Sequence, residues 1–505
     1  MSILSRRDFS CYRFSLSSFS SFGYRYPYHV LQVLLLLGAT LDLSMSVPSV
    51  IIPVNKTGSV PPIPNRENCQ LHGIHLAYGN TVHDMVIIWS TVVNCTSQVR
   101  YGKHPKILNN TVSSKVVYFN ESNPLGRHYL YRAELNNLTP DTLYYYYISN
   151  NYHVGITRYF NIPPNGTNWS PSFILFGDLG VQSHIHTVLT NEIRNGKYSA
   201  IFHVGDFGYD LESDGGTVGD SFMDIIEDYA SYIAYMTAPG NHEINGGNFS
   251  HYRYRFSMPQ TKWPMTVNKL WYSFDIGPIH FISYSTEAYF TNPQTDGAAQ
   301  SAWLIKDLKE ANLNRKKRPW IVAYGHRPMY CSNTDFDDCT KNNSVVREHL
   351  ESIFYIGGVD IIFEAHEHSY ERLYPVYDNK VMSYNYTNPL APIHIITGAA
   401  GNKYNSDPMN GPKVNQTSTS SPSLNTTANQ TSTPKTSVNI SAKWTAFRQS
   451  EGSLNSYDPF LGRGVTSSIC LATCLTSVFS ILLSSKPFTI SPFRPSLSIA
   501  FFSHI

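Results

Sequence analysis

Ile201-Phe-His-Val-Gly-Asp206-Phe-Gly-Tyr209 is an apolar run that closes on a glycine, a carboxylate and then a phenol. The arrangement recurs along the chain. Phe173-Ile-Leu-Phe-Gly-Asp178-Leu-Gly180 precedes it, and Ala238-Pro-Gly-Asn241-His242-Glu243, Trp320-Ile-Val-Ala-Tyr-Gly-His326-Arg-Pro and Phe363-Glu-Ala-His366-Glu-His368-Ser-Tyr370 follow. Short continuous apolar runs suit strands buried on both faces. Open α/β sheets gather ligands at the carboxyl ends of such strands. Alone, a Gly-Asp pair is a turn and a His-x-His is a surface or core feature. Five in order, each ending an apolar run, predict one crevice. Glycine before Asp178, Asp206, Asn241 and His326 is expected to let the chain turn tightly there. Carboxylate, imidazole, amide and phenol together suit a hard, Lewis-acidic metal pair better than a thiolate zinc site.

Working outward, Ile393-His-Ile-Ile-Thr is another buried-strand run, and residues 183–195, 218–233, 298–312 and 344–356 carry helical spacing. Strands alternating with helices from Pro171 onward predict an α/β layer structure. Residues 66–165 differ. Met85-Val-Ile-Ile-Trp-Ser-Thr-Val-Val, Gln98-Val-Arg-Tyr, Tyr129-Leu-Tyr-Arg-Ala-Glu-Leu and Leu143-Tyr-Tyr-Tyr-Tyr-Ile read as strands between turn formers. That density predicts a β-sandwich, and Leu135-Asn-Asn-Leu-Thr-Pro-Asp-Thr-Leu-Tyr resembles the late-strand corner of fibronectin type III domains.

The ordered set Gly-Asp-x-Gly, Gly-Asp-x-x-Tyr, Gly-Asn-His-Glu, Val-x-x-x-His and Ala-His-x-His resembles the purple acid phosphatases, in particular the animal group similar to the larger plant enzymes. The resemblance spans residues 66–405. It implies an α/β (α+β) fold, with a fibronectin-III-like β-sandwich at 66–165 and a four-layer α/β/β/α metallophosphoesterase domain at 170–407. It implies that Asp178, Tyr209 and His368 hold Fe(III). Asn241, His326 and His366 would hold a divalent iron, zinc or manganese, Asp206 would bridge, and His242 would contact phosphate or donate a proton. The implied activity is hydrolysis of phosphate monoesters through a metal-activated hydroxide. Tyr209 discriminates, because most two-metal phosphoesterases of the superfamily open with Asp-x-His, and here Gly180 stands where that histidine would. Alternatives are a phosphodiesterase of the same superfamily and a catalytically impaired cell-surface glycoprotein. The loop Cys331-Ser-Asn-Thr-Asp-Phe-Asp-Asp-Cys339 lacks the extra histidines of the plant members, and its Asp335, Asp337 and Asp338 read as solvated in preference to facing the substrate.

The chain has 505 residues and a formal charge of +2, without the basic stripe of a nucleic-acid binder. Seven cysteines are too few for a disulfide scaffold, but Cys331 with Cys339, and Cys69 with Cys95, are candidate pairs. Candidate glycosylation sequons stand at Asn94, Asn109, Asn120, Asn137, Asn165, Asn248, Asn342 and Asn385. Residues 1–48 read as a leader whose apolar run 29–38 is either a signal sequence or a short anchor. Together these predict a secreted or extracellular protein, with lysosomal delivery and membrane attachment as alternatives. Residues 408–463 read as a low-complexity Ser/Thr/Asn/Pro-rich region. The apolar tail at 464–505 reads either as containing an anchor at 464–483 or as a replacement for the family's last strands. Membrane contact is expected only in the first case. Trp444-Thr-Ala-Phe-Arg echoes the start of those strands.

Overall fold

The computed structural model describes residues 64–120, 126–245 and 248–402, and the backbone of short strands within 445–501. The leader with its apolar run, nearly all of the low-complexity region and the segment 465–483 lie outside the described residues. Among the described residues, no helix is long and apolar enough to cross a membrane.

Eight strands come first: β1 (His72–Tyr78), β2 (Met85–Thr91), β3 (Ser97–Gly102), β4 (Asn110–Ser113), β5 (Lys115–Tyr118), β6 (Tyr129–Leu135), β7 (Thr142–Asn150) and β8 (Arg158–Ile162). They form two facing layers, β1-β2-β6-β5 and β4-β3-β7-β8. Alternation explains the layering. In β7, Tyr144, Tyr146 and Ile148 are buried, whereas Tyr145 and Tyr147 are only partly so. Trp89 and Tyr131 stack inside the sandwich at 5.5 Å between ring centroids. The disulfide Cys69–Cys95 closes its entry.

The rest of the chain supplies β9 (Ser172–Phe176), α1 (Ile185–Arg194), β10 (Ala200–Val204), α2 (Thr217–Ala230), β11 (Ala234–Ala238), α3 (Ser250–Arg255), β12 (Tyr272–Ile276), β13 (Ile279–Ser283), α4 (Ala288–Thr291), α5 (Ala298–Leu313), β14 (Trp320–Tyr324), α6 (Val345–Ile356), β15 (Ile361–Glu364), β16 (Ser369–Leu373), the hairpin β17 (Val376–Tyr377) with β18 (Lys380–Val381), and β19 (Ile393–Thr397). Strands β9-β10-β11 are parallel, and β11 continues onto β1 through Leu76 opposite Ala234. One sheet therefore runs from the sandwich into the second region. A second sheet orders β12-β13-β14-β15-β19-β16.

The two sheets face each other. Phe173 and Phe202 meet Phe281 at ring separations of 5.1 and 4.6 Å, and Phe202 meets Tyr324 at 5.1 Å. Each central strand has two apolar faces because each lies between two layers. In β14, Trp320, Val322 and Tyr324 join the inter-sheet core, while Ile321 and Ala323 pack under α5 and α6 with Leu304, Leu308, Leu350 and Phe354. Helices α1 and α2 cover the opposite sheet through Leu189, Phe222 and Ile226. The result is helix, sheet, sheet, helix.

Inside the region read as low-complexity, β20 (Thr445–Ser450) lies antiparallel beside β16, pairing Tyr370 with Gln449. The segment that echoes the family's last strands thus occupies a sheet edge. Two further pieces, β21 (Tyr457–Asp458) and β22 (Arg463–Gly464), pair with each other, and β23 (Ser498–Phe501) lies parallel to β9.

Candidate metal centre

The predicted ligands emerge where β9, β10, β11, β14 and β15 end. At these ends the candidate ligand residues themselves bend the chain. Asp178, Asp206, Tyr209 and His366 have φ of 61°, 54°, 50° and 68°, in the left-handed region that side chains seldom adopt. Such strain persists only where the surroundings impose it. The neighbouring glycines mostly serve close approach, a correction to the expectation that they make the turns. A Cβ on Gly240 would stand 2.3 Å from Asp206 Oδ1, and one on Gly205 would stand 2.3 Å from His326 Nδ1. Only Gly205 among the four preceding glycines also has positive φ, at 81°.

The contacts fall into two linked groups. Tyr209 donates its hydroxyl to Asp178 Oδ1 at 3.1 Å, and His368 Nε2 lies 3.2 Å from that hydroxyl. In the second group, His326 Nε2 lies 3.0 Å from Asn241 Oδ1, 3.2 Å from His366 Nδ1 and 3.2 Å from Asp206 Oδ2. The His366 backbone N–H donates to Asp178 Oδ2 at 2.9 Å and ties the groups together. Asp206 is held on the His326 side, where its Oδ1 also accepts from the His242 backbone N–H at 3.0 Å. His242 packs edge-on against Tyr209 with centroids 4.6 Å apart, and its Nδ1 meets Asp210 Oδ1 at 2.6 Å.

These residues fit a metal pair on their donor chemistry. His326 Nδ1 donates to the Val204 carbonyl at 2.9 Å, which leaves the Nε2 lone pair facing the site. Asp206, Asn241 and His366 turn acceptor atoms toward the same point, and Asp206, His326 and His366 can offer one ligand atom each to a single ion. Converging lone pairs are satisfied by a cation. Burial alone would disfavour charge on His326, but the Asp206 carboxylate outweighs it and pushes the imidazole up to about 10. A metal entering there displaces that proton. Burial would likewise raise Asp206, but His326, followed by His242 and His366, holds its carboxyl well below the usual range. At Tyr209, burial and then the Asp178 carboxylate push the phenol far above its ordinary value, so a phenolate there needs a strongly charged partner.

Several supporting residues carried no expectation of this role. Glu243, inside the Gly-Asn-His-Glu motif, is buried beneath the site and accepts from the backbone N–H groups of Asp206, Phe207 and Gly240 at 2.9, 3.0 and 2.8 Å. It clamps two ligand loops together. Arg327, next to His326, donates to the buried Glu287 at 2.8 Å, and its Nη1 lies 3.1 Å from His366 Nε2. The acidic loop after Tyr330 corrects the solvated expectation at two of three positions. Asp337 Oδ2 lies 2.5 Å from His366 Nε2. Asp338 is buried and accepts from Ser344 Oγ and the Val345 backbone N–H at 2.6 and 3.0 Å, at the start of α6. Asp335 alone is exposed. The disulfide Cys331–Cys339 closes this loop. The only sequence signal for it was the cysteine spacing.

Comparison with known proteins places this geometry. The family model described as "Purple acid Phosphatase, N-terminal domain" matches residues 71–173, and the calcineurin-like phosphoesterase model matches residues 171–370. The chain is 43% identical over 344 residues to a human protein named acid phosphatase type 7, a match covering 65% of this chain and 77% of that one. It is 42% identical over 350 residues to the zebrafish (Danio rerio) protein of the same name, covering 65% of this chain and 78% of the relative. Among solved structures, a purple acid phosphatase from yellow lupin seeds superposes with a TM-score of 0.59 at 22% identity, over 75% of this chain and 68% of that one, and so shares the fold. This chain belongs to the purple acid phosphatase family of calcineurin-like metallophosphoesterases.

Proposed function

We propose that this chain hydrolyses phosphate monoesters at acid pH, with Asp178, Tyr209 and His368 holding Fe(III), with Asn241, His326 and His366 holding a divalent iron, zinc or manganese, and with Asp206 shared between them. The observation that carries this reading is the Tyr209 hydroxyl, 3.1 Å from Asp178 and 3.2 Å from His368. A phenol set between a carboxylate and an imidazole at a strand end fits a phenolate ligand to a strongly charged, hard ion.

When bound, such a metal pair supplies Lewis acidity to the phosphate and acidifies a water. The protein supplies the rest. Left-handed Asp178 and Asp206, fixed by backbone donors, arrive preorganised. His242, oriented by Asp210, presents its Nε2 on the same side as Asp206 Oδ2, 3.9 Å away. From there it donates a proton to the departing alkoxide.

Secretion is part of the proposal. Both disulfides favour an oxidising compartment. All eight candidate sequon asparagines are solvent-exposed, as a glycan requires. The test is purification of the secreted chain, metal analysis, and assay against an aryl phosphate monoester and the matching diester. Iron with monoesterase activity supports the reading. A colourless zinc or manganese protein that prefers the diester refutes it.

A further inference from the structure

Two groups compete for one nitrogen of His366. Asp337 Oδ2 lies 2.5 Å from Nε2, and Arg327 Nη1 lies 3.1 Å from the same atom. A carboxylate accepts and a guanidinium only donates. If Asp337 wins, Nε2 carries the proton and Nδ1 keeps its lone pair. If Arg327 wins, Nε2 accepts and the proton of the neutral ring moves to Nδ1. That nitrogen faces His326 Nε2 at 3.2 Å, on the side where the metal ligands converge.

We propose that Asp337 is the positioning residue that sets the tautomer of His366, keeping its Nδ1 free for the divalent ion against the competing Arg327 donor. The inference rests on the reading of His366 as a ligand. The surroundings fit the task. Arg327 cannot simply swing away, because its Nε is bound to the buried Glu287 at 2.8 Å and its guanidinium lies 4.7 Å over the Phe290 ring. Asp337 is equally tethered. The Cys331–Cys339 disulfide closes its loop, its neighbour Asp338 is anchored at the start of α6, and its own Oδ1 accepts from the Asp338 backbone N–H. Asp337 therefore lies between two fixed points with its carboxylate against His366. The equivalent support at His326 is the Val204 carbonyl, which fixes the opposite nitrogen. Two adjacent histidines thus use opposite ring nitrogens toward one ion, and each needs its own acceptor behind it.

The experiment titrates Zn(II) into the iron-loaded full chain, freed of divalent metal, for wild type, D337A, D337N, H366A and the double variant R327M/D337A. Outer acceptors behind a ligating histidine are worth about 10–100-fold in metal affinity. D337A is expected to weaken Zn(II) binding by that factor and leave the visible iron band in place. D337N, nearly the same shape and still able to accept, is expected to lose less. R327M/D337A is expected to bind Zn(II) more tightly than D337A, because the competing donor is gone. A purely structural role for Asp337 predicts no such recovery. If H366A loses Zn(II) while D337A binds within twofold of wild type, the inference fails and the ligand reading stands. If H366A binds Zn(II) like wild type, His366 is not a ligand and both fail.

Discussion

His326 donates from Nδ1 to the carbonyl of Val204 at 2.9 Å, and Val204 is the last residue of the strand that delivers Asp206. One proposed ligand is thus held by the strand that presents its neighbour. The space between them is closed to added atoms, since a Cβ on Gly205 would stand 2.3 Å from His326 Nδ1. Gly205→Ala should therefore damage both fold and site. Left-handed strain alone costs about 1–3 kcal/mol, and the collision with His326 adds to it. Thermal denaturation with metal analysis checks this. A variant with unchanged melting and full metal content would show that the loop accommodates the methyl group.

Tyr209→Phe removes one oxygen and leaves the packing against His242 intact. The expected protein retains iron through Asp178 and His368 but loses the visible charge-transfer band. A visible spectrum alongside iron analysis decides it. A variant that keeps both its iron and its colour would mean another group supplies the transition.

His242→Ala should lower turnover by about 10²-fold or more, the usual contribution of a positioned proton donor, with two metals still bound. Its backbone N–H, not its ring, supports Asp206, so the bridge survives the truncation. Steady-state kinetics and metal content on one preparation separate this outcome from simple metal loss.

A pH-dependent stability element sits away from the centre. His280 Nδ1 and Nε2 meet Asp275 and Asp307 at 2.8 and 2.9 Å. Burial disfavours the imidazolium, but the two carboxylates outweigh it and push the group from 6.5 up to about 9. A raised folded value stabilises fully below the unfolded value and fades as pH climbs through the folded one. His280→Gln should thus cost about 3 kcal/mol near pH 6, and the gap in melting temperature should narrow between pH 6.5 and 9. A gap constant with pH would mean that His280 is neutral.

What was legible in the sequence follows from burial. Strands Ala200–Val204, Trp320–Tyr324 and Ile393–Thr397 coincide with the apolar runs because both of their faces are covered. The hairpin Tyr272–Ile276 with Ile279–Ser283 lacks the continuous apolar run that marks the other central strands, because Ser273, Asp275 and His280 interrupt it. Those residues bind one another and Asp307, a partner that local periodicity cannot show. The first strand hid for a similar reason, since His75 is buried against the Gly73 and Arg255 carbonyls. The ligand loops stood out because metal chemistry demands rare residue types at strand ends. Asp337 did not, because its value depends on a loop folded back onto His366, and an acidic run looks the same whether solvated or engaged.

The most direct test of the centre is metal stoichiometry with a visible spectrum on the secreted chain, wild type beside Tyr209→Phe. Two metal ions per chain, one of them iron, with a purple band present only in the wild type, is the predicted result. A colourless wild-type protein that carries no iron yet cleaves phosphate monoesters would contradict the assignment of Asp178, Tyr209 and His368.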